Sequence, residues 1–257
     1  MSSNVEQHVI YRIANAPMRE HPFPHLFVES VFPADFYTSL RSHWVDSSSL
    51  VCLGESGRVS PGAYPERFIL PLTTDEIEKL PPGRREFWSE LSDWLLGPAF
   101  LDAVMLKFAR YVQGRFRERL EDERFYTDAI VVRDLSNYSL GPHTDSPQKV
   151  LAMVFYCPDD DSRRHLGTSI YVPNDPDFRC AGGPHHDRSA FTRVVTVEYR
   201  PNSLFAFFKT DRAFHGVEHI NEDAVKRDLL IYDVRAYDSS NPGDHASRIA
   251  GTRSEGG

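Results

Sequence analysis

The sequence predicts an α+β fold that is mainly β, with a layer of N-terminal helices buttressing one sheet of an antiparallel sandwich or jelly roll. Two observations predict it. From Arg84 to Arg117 apolar residues recur at helical spacing: Phe87, Leu91, Trp94 and Leu95, then, past Gly97-Pro98, Leu101, Val104, Met105, Phe108 and Val112. From Tyr126 onward the period becomes strand-like, with candidate strands at 127–134, 150–157, 168–172, 192–199, 203–208, 214–218 and 228–235. Helices first and short strands after is the order expected of a helical layer packed on an antiparallel sheet.

Taken in order, residues 8–32 hold short apolar pieces separated by prolines. His21-Pro22-Phe23-Pro24-His25-Leu26-Phe27-Val28 reads as an edge strand, because proline cannot donate to a ladder. Past Pro33, Phe36 and Leu40 share a helical face. The Ser- and Gly-containing stretch from Asp46 to Pro65 reads as a loop folded over something. Thr73-x-x-Glu76 has capping-box spacing for a short helix that Pro81-Pro82-Gly83 must end. Two amphipathic helices follow, broken at Gly97-Pro98, and their aromatics are expected to pack on a sheet and do no chemistry. These elements divide into a helical buttress at about 34–118 and a β core at about 125–236, together one domain over 1–240. The stretch from Ser239 to Gly257 is polar and without period, so 241–257 is expected to be a mobile tail.

At 257 residues, 40% hydrophobic and 26% charged, the chain has a globular composition and enough length to bury a core. A net charge of −8 argues against a general nucleic-acid binder. Three cysteines without a Cys-x-x-Cys pair fit neither a disulfide framework nor a zinc ribbon, and a reducing cytoplasm is the expected location. No leader-like N-terminus and no membrane-spanning apolar run is read from the chain.

The chemistry centres on Gly141-Pro142-His143-Thr144-Asp145, set between two β-patterned runs. Residues two apart on a strand point to one side, so His143 and Asp145 can offer an imidazole nitrogen and a carboxylate oxygen to one ion. Phe214-His215-Gly216-Val217 is the best place for a third ligand. Two histidines and one carboxylate with the opposite face open suit non-haem Fe(II) oxygen chemistry. Arg227 follows on the next strand, where a guanidinium can hold a carboxylate through two parallel bonds. His219 competes with His215, and Lys226 and Arg235 with Arg227, but those two read as surface charges. His165, His185 and His186 lack ligand spacing. Gly182-Gly183-Pro184-His185-His186-Asp187 reads as a flexible loop or lid before a second metal site, and Arg133, Asn137 and Lys149 as solvated residues near the mouth.

In this ordered set the chain resembles the Fe(II)/2-oxoglutarate-dependent oxygenase superfamily, prolyl-hydroxylase-like branch. The matching stretches are Asn137 to Asp145, Val154 to Cys157, Gly167 to Tyr171, Pro201 to Phe207 leading into Phe214 to Val217, and Arg227 to Tyr232. The resemblance implies a double-stranded β-helix (a cupin-like jelly roll) whose metal is held by His143, Asp145 and His215. It implies 2-oxoglutarate as cosubstrate, with its distal carboxylate on Arg227 and supported by Tyr156, and O₂ as oxidant. The reaction implied is hydroxylation of an unactivated C–H bond with release of succinate and CO₂; the related halogenases have a small residue where this chain has Asp145. The expected substrate is a small molecule, such as a sugar derivative, an amino acid or a natural product. Two alternatives stay open: hydroxylation of a protein side chain, and a metal-binding jelly roll without oxygenase activity.

Overall fold

Prolines and a glycine set the helix boundaries in the first half of the chain. The computed structural model describes residues 2–237 of the 257, so the expected tail lies outside the described residues. α1 (Ser2–Asn15) precedes the edge strand β1 (His25–Glu29) and α2 (Ala34–Ser42), which starts directly after Pro33. β2 (Val51–Cys52), β3 (Arg67–Pro71) and α3 (Thr74–Ile77) follow. Pro82 opens α4 (Pro82–Leu95) and Pro98 opens α5 (Pro98–Lys107), each at a first-turn position where a missing N–H costs nothing.

Several elements differ from those the sequence pattern predicts. α1 lies in a stretch read only as broken apolar pieces, although Val5, Val9 and Ile13 recur at helical spacing and the last two are buried. Thr73 does precede α3, but its side chain makes no capping bond. Arg84 to Arg117 holds three helices, because the chain turns at Phe108 before α6 (Ala109–Phe116). The stretch from Asp46 to Pro65 contains β2 as well as loop.

The remaining strands are β4 (Phe125–Leu135), β5 (Leu140–His143), β6 (Lys149–Tyr156), β7 (Thr168–Pro173), β8 (Phe191–Val197), β9 (Ser203–Phe208), β10 (His215–Val217) and β11 (Lys226–Ala236). They form a seven-stranded sheet, β1-β9-β6-β11-β4-β3-β2, and a four-stranded sheet, β5-β10-β7-β8, in which every pairing is antiparallel. β1 is an edge strand, as its prolines predict.

Alternation sorts the large sheet's side chains into two cores. Val131, Met153, Phe155, Leu204, Leu230 and Tyr232 face the helices, where Phe100 of α5 meets the Tyr232 ring edge-on at 5.2 Å. Val132, Ala152, Tyr156, Phe205, Phe207 and Leu229 face the small sheet. The helical layer therefore covers one face of the large sheet and leaves the other for the small sheet and the cavity between them. Cys52, Cys157 and Cys180 are free thiols, and no described helix is long and apolar enough to cross a membrane.

Candidate metal centre

β5 ends at His143 and β10 begins at His215, and the two histidines are register partners. Gly216 permits this closeness, since a Cβ there would stand 2.3 Å from the Leu140 carbonyl oxygen. The imidazole centroids are 4.4 Å apart. Each Nδ1 lies 3.0 Å from a carbonyl two residues earlier, Gly141 for His143 and Ala213 for His215. With the proton on Nδ1 donated to that carbonyl, each ring keeps its Nε2 lone pair for a ligand. Asp145 lies just past β5 with its Oδ2 3.8 Å from His215 Nε2. One ligand atom from each of His143, Asp145 and His215 falls within 4.8 Å of the others.

The electrostatics favour a cation. Burial, then the neighbouring His215, pushes the His143 imidazole down to about 3, and burial lowers His215 as well, so both are neutral ligands at neutral pH. Burial alone would raise Asp145, but Lys149, His215 and His143 outweigh it and hold the carboxyl below the usual carboxylate range. Its Oδ2 is buried without a hydrogen-bond partner, an orphan that a metal ion would satisfy. Two neutral imidazoles and one carboxylate with a vacant acceptor are a donor set that suits a divalent transition metal.

A cavity of about 110 Å³ runs inward from these ligands between the sheets to Arg67, Thr168 and Arg227. Arg227 is 1% exposed; its Nη1 donates to Asp134 Oδ2 at 2.6 Å and its Nε to the Leu166 carbonyl. Arg67 of β3 grips the same carboxylate, Nε to Oδ1 at 2.6 Å and Nη2 to Oδ2 at 3.0 Å. Two guanidinium groups on one buried carboxylate leave the inner end of the cavity with a surplus positive charge. Tyr156 is buried beside this cluster, and its hydroxyl donates to Thr168 Oγ1 at 2.7 Å and accepts from the Thr168 amide. Thr168 lines the cavity, and Tyr156 lies behind it.

Several residues read as solvated are not. Lys149 lines the cavity with its ammonium 3.1 Å from Asp145 Oδ1 and 3.0 Å from Asp233 Oδ2. Arg133 faces the helical side of β4 and binds Asp228 through two nitrogens, at 2.7 and 3.1 Å. Arg235 is only 19% exposed and pairs with Asp233, whereas Lys226 is exposed as expected. His219 is exposed and turned to Asn221, away from the ligands. The stretch from Gly182 to Asp187 is anchored over the site: the His186 amide donates to the Pro142 carbonyl at 2.9 Å, the His185 ring lies 4.8 Å from that of His143, and Tyr64 bonds His185 at 3.0 Å. The stretch from Asp46 to Pro65 thus meets this second loop above the ligands. Arg67, Asp134 and Thr168 were missed by the sequence reading. No one-dimensional signal joins Asp134 to the two arginines, which stand opposite it only in the paired register of β3, β4 and β11.

No protein-family model and no curated protein sequence matches this chain. Among solved structures it is similar to the non-heme α-ketoglutarate-dependent carbocyclase SnoK from nogalamycin biosynthesis, with 16% identity, 100% of this chain and 96% of that one covered, and a TM-score of 0.51. The fold is the jelly roll. Looser likenesses are to HygX from Streptomyces hygroscopicus with nickel and 2-oxoglutarate bound (13% identity, 82% of each chain, TM-score 0.44) and to a Pseudomonas putida prolyl-4-hydroxylase (14% identity, 90% of this chain and 98% of that one, TM-score 0.45).

Proposed function

We propose that the protein is an Fe(II)- and 2-oxoglutarate-dependent dioxygenase that hydroxylates an unactivated C–H bond of a small molecule, releasing succinate and CO₂. One observation carries the reading: the same cavity is lined by a His/Asp/His ligand set and by an under-neutralised pair of guanidinium groups. A cosubstrate that chelates a metal through one end and presents a carboxylate at the other calls for both sets of groups in one cavity.

His143, Asp145 and His215 would hold the metal, and Arg227, with Thr168 beside it, would receive the distal carboxylate. Fe(II) with 2-oxoglutarate and O₂ supplies the oxidising power for the C–H bond. The chain's own part is to position and to exclude water. The backbone carbonyls of Gly141 and Ala213 fix the two imidazole planes. Asp134 holds the guanidinium groups of Arg67 and Arg227, so a carboxylate meets donors already in place. Ala152, Val154, Phe207 and Leu229 line the cavity between the two ends and keep it apolar. The Tyr64–His185 bond narrows the approach to the metal, which favours a small substrate over a polypeptide side chain.

The test is an anaerobic titration of metal-free protein with Fe(II) and then 2-oxoglutarate. A visible charge-transfer band is expected in the wild type and is lost in Asp145→Ala. In Arg227→Met the band is expected to survive but to need at least about tenfold more 2-oxoglutarate, as a charge-assisted bond is removed. A folded, iron-loaded wild type without the band would favour a metal-binding jelly roll with no oxygenase activity.

A further inference from the structure

Along β6, Leu151, Met153 and Phe155 belong to the helix-facing core, and Ala152, Val154 and Tyr156 to the cavity side. Regular alternation would place Lys149 with the first set. The pairing with β11 slips at this point: Leu151 stands opposite Val234 but Lys149 opposite Arg235, so Val150 is an extra residue. This is a β-bulge, a device that re-aims a side chain. Val150 and Leu151 both pack against the helices, and Lys149 turns into the cavity.

The Lys149 side chain is 12% exposed there, and its ammonium bridges two carboxylates, Asp145 through Oδ1 and Asp233 through Oδ2. A lone ammonium is costly to bury, so Asp233, itself 6% exposed, secures the lysine independently of Asp145. The two oxygens of Asp145 are thereby made unequal: Oδ1 faces Lys149, whereas Oδ2 faces His215 Nε2 and has no hydrogen-bond partner. A carboxylate left free binds a divalent ion through one oxygen or through both. We propose that Lys149 is a positioning residue that restricts Asp145 to one-atom ligation through Oδ2 and so keeps three positions of a six-coordinate ion open. The inference rests on the reading of His143, Asp145 and His215 as a metal site.

The probe is Mn(II) alone, added to the full chain, with its affinity measured by titration and its exchangeable coordinated waters counted from water-proton relaxation. Wild type is expected to show three waters. Lys149→Met is expected to show two, because Asp145 becomes free to chelate through both oxygens. Its Mn(II) affinity is expected to rise on the order of tenfold, because a positive charge beside the dication is gone. A lysine with only a structural role would act in the opposite sense, loosening Asp145 and weakening the metal. Three waters in Lys149→Met, or a weaker affinity, overturns the proposal. Should that variant fail to fold, the double variant Lys149→Met, Asp233→Asn also removes the buried charge that Lys149 would leave to Arg235 alone; two waters there support the proposal and three overturn it. A wild type that takes up no Mn(II) overturns instead the metal reading beneath it.

Discussion

His143 is kept neutral by burial and by the imidazole of His215 next to it, and this has a consequence for the metal-free protein. Its folded value of about 3 lies below the ordinary 6.5, so between those limits the unfolded chain binds a proton that the folded chain refuses. Stability is therefore fully present above about 6.5 and falls as the pH drops toward 3. Urea denaturation of the metal-free protein at pH 7 and pH 5 is expected to show a larger loss in the wild type than in His143→Gln; equal losses would mean that His143 titrates normally. At this scale the sequence was partly legible. His143, Asp145 and His215 could be read because their spacing and setting survive in one dimension. Arg67, Asp134 and Thr168 could not, because what joins them is pairing across β3, β4 and β11 and across the two sheets. Lys149 was misread for a sharper reason: one extra residue in β6 reverses the side to which alternation assigns it.

The element on which the ligand geometry turns is the three-residue strand β10. Gly216 sits where a Cβ would come 2.3 Å from the Leu140 carbonyl oxygen and 2.9 Å from that of Gly141. Gly216→Ala must push β10 away from β5 and carry His215 away from His143. Mn(II) affinity is expected to fall about tenfold or more, with a smaller proportional effect on the thermal midpoint. Calorimetric titration beside a thermal melt checks this, and an unchanged affinity would show that the strand pair absorbs the methyl group. The long strands β4, β6, β9 and β11 were readable because each repeats its pattern over six or more residues. β5, four residues long and containing Pro142, is absent from the candidate strands, although strand alternation was applied to His143 and Asp145; only His143 of that pair lies on it. Prolines were informative as boundaries throughout; at Pro81-Pro82 they start a helix as well as end one.

Across the whole molecule, the helices and the cavity lie on opposite faces of the large sheet. Trp88 of α4 is fully buried in the helical core, and its indole N–H donates to the His43 carbonyl at 2.9 Å. Trp88→Ala is expected to cost about 3–5 kcal/mol of folding stability. Mn(II) affinity of the folded fraction is expected to stay within about twofold, since well-separated sites behave additively. Chemical denaturation and metal titration of the same preparation check the two halves of that statement, and a linked loss of affinity would mean that the sheet transmits the cavity's strain. The division of labour between the sheets has one more result. Both histidines belong to the four-stranded sheet, whereas Arg227, Asp134, Lys149 and Asp233 belong to the seven-stranded one. Anything gripped by both sets acts as a rivet through the sandwich. Prying the two layers apart then requires letting go of the bound group, so filling the cavity stabilises the sandwich against separation of its sheets, which helices stacked behind one layer do not clamp.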